Sequence, residues 1–191
     1  QLGDKDLATH LERTRRIHAG ERLSTITEDF CQQWGIKVQV LPMSDDPVPT
    51  IVITDQGELP FQDYFVKHGA QPQVRGFRFE NVKSAQPAPG VLEAVRESDL
   101  VIICPSNPWV SIDPILAVPG IREEVKKKHV LAISPIIGGE TVRGPAAKMF
   151  LELGITPSAA AVAEHYRDLI TAIVYDFRDQ ELADLENAQG N

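Results

Sequence analysis

Two short, unbroken apolar runs, LVIIC at 100–104 and VLAIS at 130–134, constrain the fold of this chain more than any other stretch. Neither alternates polar with apolar residues, as a strand with one wet face would. Both are therefore expected in a parallel sheet covered on its two faces. Each run breaks at once into a turn-rich loop that leads into a helical pattern, PSNPWVSIDP at 105–114 after the first and PIIGGETVRGP at 135–145 after the second. Strand, loop and helix in that repeated order give a three-layer, Rossmann-like α/β fold with a mostly parallel sheet. Ligands of such sheets sit beyond the carboxyl ends of the strands, so the two loops are expected at the binding edge.

Both loops carry groups able to reach an anion. In the first, Asp113 is expected to cap a helix that has Pro114 at its first position, leaving helical N–H groups beside Ser106, Asn107 and Ser111. In the second, Gly138 and Gly139 permit a tight backbone curl, Arg143 offers a fork of donors, and Gly144 and Pro145 open the helix 146–153. Glycine and proline also punctuate ordinary turns, and neither a GxGxxG nor a GxxxxGK[ST] fingerprint is present, so the residues alone leave both readings open.

The rest of the chain reads as elements feeding that sheet. Asp6 is expected to cap a helix over 7–18 with Leu7, Leu11 and Thr14 inward and a solvated arginine face, and Ser24 a second over 25–34. A strand over 36–41 delivers PMSDDP at 42–47. There Asp45 and Asp46 could hold Mg²⁺, a ribose or a ring nitrogen, and an Asp before Pro is equally ordinary turn chemistry. A hairpin turning at Gln56 and Gly57, an aromatic helix over 61–68 and a strand over 74–79 break the βα rhythm, so 48–82 is expected to form a small β-containing annex or lid within one domain of 191 residues. Ser158 opens a helix to about Tyr166 in which His165 packs or faces solvent, a last strand spans 171–177, and the acidic tail from Arg178 is expected to fray.

The net charge of −8 argues against duplex nucleic acid or an anionic membrane as the main partner. Two cysteines, Cys31 and Cys104, make neither a disulfide framework nor a metal cluster; both are expected to be buried, in a chain suited to the reducing cytoplasm. No apolar run approaches a membrane span, and no Ser or Cys sits in a nucleophile-elbow pattern. What remains is an α/β domain for an anionic, nucleotide-like ligand, and phosphoryl or phosphodiester chemistry fits it because that chemistry needs positioning and charge neutralisation more than a protein nucleophile.

Longer motifs carry a resemblance. GDKDLATHLERT (3–14), LPMSDDPV (41–48), PFQDYFV (60–66), VRGFRFE (74–80), PSNPWVSIDPILAVPGIRE (105–123) and SPIIGGETVRGPAAKM (134–149) are similar to the 2-phospho-L-lactate transferase family of coenzyme F420 biosynthesis, over essentially the whole chain. The resemblance implies attack by a hydroxyl of the deazaflavin Fo on a guanosine-diphosphate-activated three-carbon acid (phospholactate, phosphoenolpyruvate or a phosphoglycerate), with Mg²⁺ and release of GMP. It assigns Ser106, Asn107 and Ser111 to the ligand loop and Gly138, Gly139, Thr141 and Arg143 to the phosphate or nucleotide side. Ser44, Asp45 and Asp46 are implied to face the deazaflavin, with Asp45 a candidate for the metal.

The family also carries a glycine-rich loop and an acidic loop upstream of LGD, to which metal and deazaflavin contacts are implied to belong. The catalytic residues are therefore expected outside this sequence, which opens at Gln1 like a piece of something longer, and these 191 residues alone are expected not to turn over. A homodimer is implied. The competing reading is a non-catalytic, sugar-nucleotide-binding regulator similar to the gluconeogenesis-factor family.

Overall fold

The computed structural model describes residues 3–141 and 144–180. Helices α1 (Asp4–His18) and α2 (Leu23–Gln33) come first. An antiparallel unit follows in which β1 (Thr50–Thr54) lies between β2 (Gly57–Pro60) and β3 (Val74–Phe79). Helix α3 (Val91–Glu97) leads to β4 (Leu100–Ile103), and α4 (Asp113–Ala117) with α5 (Ile121–Val125) leads to β5 (His129–Ile133). A small hairpin, β6 (Ile136–Ile137) and β7 (Glu140–Thr141), precedes α6 (Ala146–Glu152), α7 (Ala159–His165) and β8 (Ala172–Val174).

β5 is parallel to both β4 and β8, with Val101 opposite Val130 and Ala132 opposite Ile173. This is the Rossmann-like α/β arrangement that the two apolar runs demand. Of the two covering layers expected, the described residues supply one. Val130, Ala132 and Ile103 are buried in one cluster with Val91, Ile121, Phe150 and Val162 of the helices. The alternate residues Leu100, Ile102 and Val174 are 47, 52 and 46 % exposed, because successive side chains of a strand point to opposite faces.

The antiparallel unit shares that core through Val52, Tyr64 and Val74. Its hairpin turns at Gly57, whose φ of +112° suits glycine. The unit is riveted to α6: Glu152 accepts the Val74 amide at 3.0 Å, while Lys148 donates to the Pro72 carbonyl at 3.2 Å and pairs with Glu152 at 2.6 Å.

Several sequence expectations are corrected. Residues 36–41 form no strand; Val38 is 70 % exposed, and among the described residues no strand pairs with the stretch. Helix α1 starts after Gly3 rather than at an Asp6 cap, and it buries none of its residues, Leu7 and Leu11 included. Arg16 of its supposedly solvated face is instead tucked between Glu21 and Asp29. Helix α2 starts at Leu23, which puts Ser24 inside its first turn. Cys104 lies just past β4 and is exposed, and Cys31 is only partly buried. The tail is ordered through a short turn at Phe177–Asp179, with Asp179 buried; residues 181–191 lie outside the described residues. No helix among the described residues is long and apolar enough to cross a membrane.

Candidate functional site

A cleft of about 630 Å³ opens where β4 and β5 end, and both loops contribute to it. Pro105, Ser106, Asn107, Val110 and Ser111 come from the first, and Ile133 to Pro135, Ile137, Thr141 and Gly144 to Ala146 from the strand end and loop of the second.

The first loop is held from within. The Asn107 Oδ1 accepts the amides of Trp109 (3.0 Å) and Val110 (3.4 Å), capping a π-helical turn at Pro108–Ile112, and its Nδ2 donates to the Met149 sulfur at 3.1 Å. The Trp109 and Val110 amides are thus already taken. Trp109 is buried against Phe77 and the edge of Phe150. Asp113 does not cap its helix, which begins after Ile112; its carboxylate receives the His165 Nε2 at 3.0 and 3.1 Å, and the His165 ring meets Trp109 edge-on. His165 therefore packs, as one of the two sequence expectations has it, and also pairs with Asp113. Beside it the Tyr166 hydroxyl is buried with no hydrogen-bond partner among the described residues, and burial, with Asp113 nearby, pushes its pKa above the usual tyrosine range. Ser106 and Ser111 line the cleft, and their hydroxyls form no side-chain hydrogen bond among the described residues.

The second loop makes the expected curl, with φ of +59° at Gly138 and +81° at Gly139 between β6 and β7. Its anchor is Asp179, 6 % exposed, whose Oδ1 accepts the Gly138 amide at 2.9 Å while Oδ2 has no partner among the described residues. Gly138 and Gly139 are set back from the cleft that Thr141 and Gly144 line. Thr141 donates to the Gly144 carbonyl at 3.0 Å. Arg143 lies outside the described residues.

The structure does not bring Ser44, Asp45 and Asp46 to this cleft. Asp45 holds the first turn of α2, accepting the Ser24 amide at 2.7 Å and the Ser24 hydroxyl at 2.9 Å. Ser44, 3 % exposed, donates to the Gln86 carbonyl at 2.6 Å, and Asp46 accepts the Gln86 amide at 2.9 Å. Here the three residues form a junction between α2 and the segment that leads to α3.

No charged side chain lines the cleft among the described residues. Among the described residues no three His, Cys, Asp or Glu side chains converge, and both Asp45 oxygens accept from Ser24. The wall that sequence reasoning missed belongs to the antiparallel unit, where Phe61 and Phe65 line the same cleft. Their four-residue spacing in PFQDYFV was the available signal.

Comparison with known proteins gives a consistent pattern. The family model described as 2-phospho-L-lactate transferase CofD matches residues 1–190. The chain is 44 % identical over 180 residues to a 2-phospho-L-lactate transferase of Methanosarcina mazei, covering 94 % of this chain and 59 % of that protein. It is 45 % identical over 185 residues to a phosphoenolpyruvate transferase of Thermobifida fusca, covering 94 % and 58 %. A crystal structure of a UPF0052 family protein from Bacillus halodurans superposes with a TM-score of 0.60 at 19 % identity over 97 % of this chain and 57 % of that one, which shows a shared fold. The chain thus spans somewhat under three fifths of the length of these relatives.

Proposed function

Because the chain belongs to the 2-phospho-L-lactate transferase CofD family, we propose that this protein transfers a phosphorylated three-carbon acid from its guanosine-diphosphate-activated form to a hydroxyl of the deazaflavin Fo, releasing GMP. In this reading the acceptor oxygen bonds to the phosphorus that carries the acid, the bridging P–O bond to GMP breaks, and the hydroxyl proton leaves to a base or to water. Mg²⁺ neutralises the diphosphate when bound; none of the described residues is assigned to it.

The observation that carries the proposal is the match over 1–190 together with the cleft that Pro105, Ser106 and Asn107 of the first loop share with Thr141 and Gly144 of the second. The cleft's contribution is positional. Ser106 and Ser111 present donors at the strand ends, beside apolar walls. The relatives' names include both phospholactate and phosphoenolpyruvate transferases, which supports a phosphorylated three-carbon carboxylate as the acid.

The test is mass spectrometry of products after the full-length enzyme is incubated with Fo, Mg²⁺ and each activated acid in turn. A phosphodiester-linked deazaflavin plus GMP from one donor is the expected result. Binding of sugar nucleotides with neither Fo binding nor product from any donor would overturn it.

A further inference from the structure

The Phe61 and Phe65 rings stand parallel, 5.7 Å between centroids and 5° between planes, one helical turn apart. Phe61 is partly buried against the core, whereas Phe65 is 42 % exposed although it lines the cleft. A large aromatic ring left half wet at a cavity wall is unsatisfied apolar surface that an occupant can cover.

The backbone adds an independent sign. Phe65 sits in a π-helical turn, Asp63–Lys67, and Val110 and Ser111 sit in another, Pro108–Ile112. Such turns are rare and collect at functional sites, and here both face one cavity. The first is held rigidly, since Tyr64 between the two phenylalanines is fully buried and the Lys148 ammonium lies 5.9 Å from its ring. The cleft's volume falls in the range of roughly 300–1,000 Å³ usual for small-molecule sites.

The lining decides what kind of occupant fits. Among the described residues it is mostly apolar, with Ser106, Ser111 and Thr141 beside the aromatic wall, which suits a flat heterocycle with a polar edge. We propose that Phe61 and Phe65 form the stacking wall of a planar-ring subsite, with the heterocycle's polar edge on the Ser106 and Ser111 hydroxyls. This rests on the cleft being the transferase's substrate site, and the ring is then either the deazaflavin or the guanine.

Affinities of the protein and of its Phe65→Ala and Phe65→Tyr variants for Fo, by its own fluorescence, and for GMP, FMN and AMP, by calorimetry, test it. Circular dichroism confirms that the variants fold. About a tenfold loss for Fo or GMP in Phe65→Ala, with Phe65→Tyr within about twofold of the parent, is expected, and which ligand weakens identifies the ring. If only FMN or AMP binds and weakens, the wall stands and the transferase reading falls. If Fo or GMP binds equally well to parent and Phe65→Ala, the wall falls and the transferase reading stands. If no ring binds the parent, both fall.

Discussion

Asp45 turns both its carboxylate oxygens onto one residue, Oδ1 to the amide of Ser24 and Oδ2 to its hydroxyl, at 2.7 and 2.9 Å. The first turn of α2 has no cap of its own, since Arg22 precedes it, and its exposed amides attract a negative charge. The carboxylate arrives from a turn 21 residues downstream, so a local need is met by a long-range contact. Replacing Asp45 with Ala is expected to cost about 1–2 kcal/mol of stability, and Ser24→Ala less, because the amide contact survives. A urea double-mutant cycle measures the coupling; additivity of the two changes refutes the contact.

His165 fixes the far end of the first loop through Asp113 and covers the edge of Trp109. His165→Ala leaves a partly buried carboxylate without its partner and is expected to destabilise by about 1–3 kcal/mol, with Trp109 emission moving to the red as water reaches the ring. Unchanged emission and unchanged midpoint show that the loop holds itself.

Tyr166 contributes shape to the core and nothing through its hydroxyl, which lacks a partner among the described residues. Tyr166→Phe is therefore expected to raise stability by about 1 kcal/mol. Burial raises the hydroxyl's pKa in the folded state, so its neutral form favours folding below the ordinary tyrosine value of about 10 and this contribution is lost as pH climbs above it. The Phe variant loses that part of the alkaline slope in denaturation curves recorded between about pH 9 and 11.

Asp179 steadies Gly138 from a segment read as frayed. Asp179→Ala is expected to speed hydrogen exchange of the Gly138 amide by about tenfold, the equivalent of one lost hydrogen bond. Asp179→Asn keeps an acceptor and holds the amide protected. Equal exchange in parent and Ala variant contradicts the anchor.

Asp168 lies between Lys126 and Arg122, and the Lys126 hydrogen bond, then the Arg122 charge, hold its carboxyl below the usual aspartate range. Its contribution is present above the unfolded value, about 3.9, and is lost as pH falls through the lower folded value. The site is nearly half exposed, so the contribution is under about 1 kcal/mol and salt weakens it. Asp168→Asn is expected to flatten the stability curve below about pH 4 at low ionic strength only.

The sequence by itself determined the parallel pair β4 and β5, the hairpin at Gly57, the Ser158 cap and the glycine curl at 138–139, because apolar runs, caps and positive-φ turns are settled within a few residues of chain. It also identified the two loops, though Asn107 and Thr141 spend their polar atoms holding the loops themselves. Only the tertiary structure decided the rest. The 36–41 stretch reads as a strand yet is none among the described residues, since a strand exists only with a neighbour to bond. Asp45 reads as a ligand and caps a distant helix; Asp179 reads as tail and anchors a turn. The Phe61–Phe65 wall arises because a β unit and a βα crossover meet across a cleft. Which partner a side chain meets across tens of residues depends on how whole elements pack, and no local pattern encodes it.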